Sequence, residues 1–169
     1  RAALRLEAEV IRDSLFDVSG SLDKTRFGKG SVDETSPRRS VYLTVKRSNL
    51  IPILQMFDAP DSIQSIGHRE NTTVPPQALV MMNSPMVRKL AAQFGKRVAA
   101  DPNTSPEQML DKAYALALSR PATEAERERM LKFLTAQAAS YGTGDAAMTQ
   151  AMADCCQLIL CLNEFIFVD

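Results

Sequence analysis

From Pro75 to Leu162 the apolar residues recur at three- and four-residue spacing, and this periodicity most constrains the fold. Val87, Leu90, Ala91, Phe94 and Val98 fall on one helical face. Met109, Leu110, Ala113, Leu116 and Ala117 fall on a second, and Met130, Leu131, Phe133, Leu134 and Ala138 on a third. A fourth stripe runs Met148, Met152, Cys155, Ile159 and Leu162. Each begins at a helix-start signal: Asn83-Ser84-Pro85, Ser105-Pro106-Glu107, the capping box Thr123-Glu124-Ala125-Glu126, and Asp145 as a cap. Thr73 is placed to cap a further helix that opens with Pro75-Pro76. Near the start, Leu4, Ala8, Ile11, Leu15 and Val18 predict a helix over 3–18, ended by Ser19-Gly20. The periodicity predicts an all-α chain: an irregular multi-helix bundle of about six helices around a central loop-rich segment, with no convincing sheet. A length of 169 residues suits a single helical domain with a real core.

The central segment, residues 36–83, holds most of the unusual groupings. Ahead of it, residues 21–36 read as a mobile connection rich in glycine and small polar residues. Residues 37–47 fit a short helix or, through Val41-Tyr42-Leu43-Thr44-Val45, a strand. Helix is favoured because no partner strand is apparent. Leu50 to Phe57 is a short apolar segment, stopped by the bend Asp58-Ala59-Pro60-Asp61. Arg38, Arg39, Arg47 and Arg69 are candidate ligand-binding donors, and Asp58, Asp61, Gln77 and Asn83 candidate orienting groups and acceptors. The same residues fit a second role, in which arginines and aspartates pair with each other and pin irregular backbone. His68 is the single histidine and reads as a hydrogen-bonded structural residue.

Formal net charge is zero, so no global field steers the chain to nucleic acid or an anionic membrane. The zero hides an asymmetry, because Lys24, Arg26, Lys29, Arg38, Arg39, Lys46 and Arg47 face only Asp33 and Glu34 over residues 24–47. That stretch is either a solvated surface or a basic groove for an anionic ligand. Phe27-Gly28-Lys29-Gly30-Ser31 lacks the spacing of a phosphate-binding loop. Cys155, Cys156 and Cys161 share one helical pattern and do not converge well on a zinc ion with His68; reduced, buried thiols are expected. The Cys-x-x-Cys-His of covalent haem attachment does not occur. No apolar run is long enough to span a membrane. The chain opens inside an apparent helix, as expected of a piece of a longer protein.

Several uncommon strings occur in a fixed order. Arg5-Leu6-Glu7-Ala8-Glu9-Val10-Ile11-Arg12-Asp13 is followed by Arg38-Arg39-Ser40-Val41-Tyr42 and Phe57-Asp58-Ala59-Pro60-Asp61. Then come Arg69, Thr72-Thr73-Val74-Pro75-Pro76-Gln77-Ala78-Leu79 with Asn83, and Arg120-Pro121-Ala122-Thr123. Leu162-Asn163-Glu164-Phe165 with Val168-Asp169 closes the series. This order resembles the planctomycete-specific C-terminal domain of unknown function over nearly the whole chain. Pro76 departs from the family's Thr-Val-Pro-Gln-Gln string and stiffens the helix start. The resemblance implies a domain that ends large exported proteins, often carrying a cytochrome c-like module, and a periplasmic or cell-surface location. Any haem would sit in another module, leaving no cofactor in this domain, and the family supplies no catalytic residues to carry over.

The expected function is a non-catalytic binding or docking module. Its partners would be upstream domains of the same chain, an anionic polysaccharide or a partner protein. The competing expectation is a structural domain that supports or completes a hydrolase or redox site formed by upstream domains. Exposure separates the two: mutually paired, buried arginines favour structure, and spare donors in a cleft favour binding.

Overall fold

The computed structural model describes residues 3–46, 50–60, 67–101 and 103–168. Among them are eight α-helices and one small sheet. The helices are α1 (Ala8–Val18), α2 (Pro52–Met56), α3 (Pro75–Asn83), α4 (Pro85–Val98), α5 (Pro106–Leu118), α6 (Glu124–Tyr141), α7 (Asp145–Leu160) and α8 (Asn163–Ile166). The expected all-α bundle is therefore observed, with two helices, α2 and α8, only about a turn long.

The caps follow local chemistry. Ser105 Oγ accepts from the Gln108 N–H, and the Gln108 side chain accepts from the Ser105 N–H at 2.9 Å. Thr123 and Glu126 make the same reciprocal pair. α3 differs from expectation: Val74, not Thr73, holds the cap position, and the Gln77 side chain accepts the Val74 N–H. α7 starts on Asp145 itself, with Gly144 at the cap.

α7 packs most extensively on α4 and α6, and its Ala151, Met152, Cys155, Cys156, Ile159 and Leu160 are buried. Met148, expected on the same stripe, is exposed near the start of α7. Gly95 lets α4 approach α7 closely; a Cβ there would lie 3.2 Å from the Ala153 nitrogen. The buried side chains of α1, α2, α4, α5 and α7 join one continuous cluster.

The first expected helix is shortened from its start. Leu4–Arg5 forms β1, paired antiparallel with β2 (Phe167–Val168), and α1 begins only at Ala8. This pairing turns Leu4 outward and Arg5 inward, so Leu4 is no part of the core. It also corrects the expectation of no sheet. Residues 37–47 form neither a regular helix nor a strand over their described part. Ser40–Tyr42 is a single 3-10 turn, and single parallel bridges join Asp23 to Arg38 and Ser31 to Leu43. Residues 21–46 thus make an irregular lobe laid against α1, where Arg12 takes the carbonyls of Glu34, Ser36 and Arg38, while residues 24–30 of the expected connection are exposed.

Candidate functional site

Two buried arginines organise the irregular backbone. Arg12, on α1, lies four residues after Ala8 and four before Phe16, on the buried side of the helix, and is fully buried. Its Nη2 and Nε donate to the Glu34 carbonyl at 2.8 and 3.1 Å. Nη1 donates to the Arg38 carbonyl at 3.0 Å and to Ser40 Oγ at 3.3 Å. Nη2 also donates to the Ser36 carbonyl. The guanidinium stacks over the Phe16 ring at 4.5 Å. Ser40 donates through its N–H and its hydroxyl to Asp13 Oδ1, each at 2.7 Å. Burial lowers the Arg12 pKa, and neighbouring Asp13 opposes that shift. Three lobe carbonyls are taken by one side chain, which leaves residues 34–40 no route to a continuous helical ladder.

Arg5 makes the second clasp. From β1 it donates to Asp58 Oδ2 at 2.7 Å and to Asn71 Oδ1 at 2.8 Å, and it lies over the Phe57 ring. Asp58 sits at φ 60°, in the left-handed region, and ends the turn after α2. Its carboxylate also accepts the Thr72 N–H at 2.7 Å and the Thr72 hydroxyl at 2.8 Å. Gln77 is buried; its amide donates to the carbonyls of Met56 at 3.1 Å and Thr72 at 3.2 Å. β1, the α2 turn, the extended strip before α3 and the start of α3 are tied by these bonds.

Among the described residues, the predicted site residues therefore do not converge. Asp58 and Gln77 belong to the Arg5 clasp. Arg38 turns back on its own lobe, donating to the carbonyls of Lys29 at 2.8 Å, Thr25 at 3.2 Å and Phe27. It also stacks on Tyr42 at 3.8 Å. Arg69 bridges Glu7 at 2.8 Å and Glu9 at 2.7 Å. Arg39 is exposed, 3.7 Å from the Asp13 carboxylate. Asn83 is exposed at the last position of α3 and joins neither clasp. Arg47 and Asp61 lie outside the described residues. His68 is exposed, and no hydrogen bond to its side chain is seen among the described residues. Arg5 and Arg12 were absent from the candidate set. The available signal was Arg12's position one residue past Ile11, facing the same side as Ala8 and Phe16.

Near the end of α5, Arg120 donates to Glu126 at 2.8 and 2.9 Å and to Glu164 at 2.7 and 2.6 Å. Arg120 holds the Glu126 carboxyl down at about 2. Asp154 accepts from Arg88, Gln137 and Tyr141 at 2.7–3.1 Å and knits α4, α6 and α7. Burial pushes the Cys155 thiol up to about 12 and raises that of Cys156 as well. No group of three or more His, Cys, Asp or Glu among the described residues could hold a metal ion.

Arg39 and Arg69 do reach an open surface. A groove of about 910 Å³ runs between α1, residues 39–45 of the lobe, the end of α5, and Phe165 and Val168. Leu6, Val10, Leu43, Leu116 and Phe165 give it an apolar floor. Its rim carries Glu7, Glu9, Asp13, Asp17 and Glu164 against Arg39 and Arg69. These acids already have partners: Arg69 for Glu7 and Glu9, Ser40 for Asp13, Lys24 for Asp17, and Arg120 for Glu164.

Fold and site together define a mostly helical domain whose irregular middle is held by two buried arginines beside an open, apolar-floored groove. The chain belongs to the family described as a protein of unknown function (DUF1553), whose match covers residues 1–134. The match ends inside α6, so the closing strings of the expected series, Leu162–Phe165 and Val168-Asp169, lie beyond it. No curated protein and no solved structure matches the chain.

Proposed function

We propose that the domain is a non-catalytic docking module and that its contact surface is the groove beside α1, not the arginine cluster. The carrying observation is the groove's chemistry: an apolar floor with exposed Val10, Val41 and Val45 beside it, inside a rim whose Glu7 and Glu9 are already paired with Arg69 and whose Glu164 is paired with Arg120. Such a surface gains most by covering apolar area with another protein surface, where polar groups at the edge set register. Five carboxylates against two arginines on the rim disfavour an anionic polysaccharide here. The reading is of a C-terminal module in an exported planctomycete protein, working at the periplasm or cell surface. Its groove would receive another domain of the same chain, and any haem would reside in a separate module. The family resemblance supports that setting.

A second reading rests on a separate observation. Arg5, Arg12, Asp58 and Gln77 are spent inside the fold, which favours a structural domain that supports neighbouring domains. Hydrogen–deuterium exchange on the parent protein separates the two readings. Docking predicts protection at Val10 and Val41, lost in a Val41→Asp variant, because Val41 is 73% exposed and free of core packing. Equal exchange in the parent protein and the variant would leave only the structural reading.

A further inference from the structure

The lobe also carries a feature that the groove does not use. Phe27 is the most exposed large hydrophobic residue described, at 81%. It sits at φ 64°, a conformation that a phenylalanine adopts at a cost. Glycine would take that position freely. The strained backbone is fastened on both sides. The Phe27 N–H donates to Tyr42 Oη at 2.9 Å, and the Phe27 carbonyl accepts from Arg38. Arg38 in turn lies on the Tyr42 ring. The ring is thus held outward from a fixed base.

Its neighbours along the chain are cationic, with Asp23 the acid at the loop's edge. Lys24, Arg26 and Lys29 are all exposed, and residues 24–30 contain no acid. Lys24 meets Asp17 at 2.8 Å, but both side chains are more than half exposed, so the pair is weak and Lys24 stays available. A single aromatic ring on an exposed loop, with Lys24, Arg26 and Lys29 within three residues of it in the chain, offers little area for a protein hot spot. Hot spots need a dry pocket and a surrounding ring of contacts. The same arrangement suits a bilayer interface. There an aromatic ring settles at headgroup depth and each nearby Lys or Arg gains from anionic lipid.

We propose that the loop 24–30 is a membrane-surface contact, with Phe27 entering the interface of an anionic bilayer and Lys24, Arg26 and Lys29 meeting its headgroups. The surface is separate from the groove, so either assignment can fail without the other. The test is co-sedimentation of the chain with vesicles of phosphatidylcholine and phosphatidylglycerol at about 4:1, against phosphatidylcholine alone, with the mole ratio chosen to give a strong surface potential. The chain should partition to the anionic vesicles only, and less so as salt rises. Phe27→Ala should weaken partition by about tenfold, and neutralising Arg26 or Lys29 by roughly fivefold each. The chain has no tryptophan, so Phe27→Trp places one reporter at the tip. Its emission should shift to the blue on vesicle addition. Phe27→Gly should lose partition while its Tm stays level or rises, the opposite of what a residue kept for packing would do. Equal sedimentation with both vesicle types, full partition by Phe27→Ala, or an unshifted emission from the Phe27→Trp variant would each overturn the assignment.

Discussion

Replacing Arg12 with methionine tests whether one side chain holds the lobe. Methionine keeps most of the volume and the contact with Phe16 but removes every donor. Three main-chain carbonyls, those of Glu34, Ser36 and Arg38, then lose their partner, as does Ser40 Oγ. A hydrogen bond to a charged group contributes about 1.5–3 kcal/mol, and an orphaned buried acceptor costs about 1–3 kcal/mol. The segments carrying those carbonyls are partly exposed, so water recovers some of the loss. At roughly 1–1.5 kcal/mol for each carbonyl, Arg12→Met should cost about 3–5 kcal/mol. That is a large share of the roughly 5–15 kcal/mol available to a domain of this kind. Arg12→Lys should recover less than about half, because an ammonium cannot reproduce the planar fork. Urea denaturation followed by circular dichroism reads the global loss, and hydrogen exchange over residues 31–44 reads the lobe. Arg38→Ala is the control: it donates to exposed carbonyls that water can serve, so its loss should stay under about 1 kcal/mol. A loss below about 1 kcal/mol for Arg12→Met, with unchanged lobe exchange, would refute the clasp.

Three further outcomes are expected. Asp58→Ala should cost about 3–5 kcal/mol, because it strands the buried Arg5 guanidinium and puts alanine at φ 60°. Asp58→Asn should cost about half as much, since asparagine tolerates that conformation and still accepts from Thr72; equal losses by denaturation would sink this account. Glu126 is held at about 2 against an ordinary value of 4.5, chiefly by Arg120. A depressed carboxylate stabilises the fold above its unfolded pKa, and that contribution disappears as the pH falls from 4.5 through about 2. The Tm gap between the native chain and Glu126→Gln should therefore close over that window, and a constant gap would contradict it. Gly95→Val should destabilise the α4–α7 crossing by about 1–3 kcal/mol, read as a lower denaturation midpoint, because its Cβ would meet the Ala153 backbone.

How much was legible depends on the range of the interaction that decides each element. The Thr123–Glu126 box closes within four residues and was readable, as was the helix start at Ser105-Pro106, although its box with Gln108 was not identified. The stripes on α4, α5 and α6 were readable for the same reason, since a helix face is a local property. β1 was not, because Leu4 pairs with Val168 at the far end of the chain. Val41–Val45 has strand propensity, yet Arg12 decides its surroundings from more than twenty residues away. The partners of the candidate site residues were hidden in the same manner. Arg38, Arg69, Asp58 and Gln77 are polar groups under strong constraint, as expected, but their partners could not be assigned from spacing. Arg5 stayed hidden because it looks like an ordinary helix-surface charge until β1 pairs, and Arg12 because its place beside Ala8 and Phe16 names no partner until the lobe is placed.

Irregular backbone needs partners for its carbonyls and amides once apolar surface closes around it. A central segment with few helical bonds must draw those partners from side chains, and arginine supplies five donors at once. Arg38, Asp58 and Gln77 are used in this way from within residues 36–83, and Arg5 and Arg12 supply the rest from outside it. Satisfying the backbone this way consumes the polar groups: Asp58, Gln77 and Arg38 all point into the fold or their own lobe. What remains for outside contact is what the network leaves uncovered. In the groove that is Val10, Val41 and Val45, and on the lobe it is the ring of Phe27. Both surfaces are lined or based by residues whose positions Arg12 and Arg38 set. Loss of either arginine should then disturb recognition at a distance, with Arg12→Met blunting the groove and Arg38→Ala releasing Phe27 while the core stays intact.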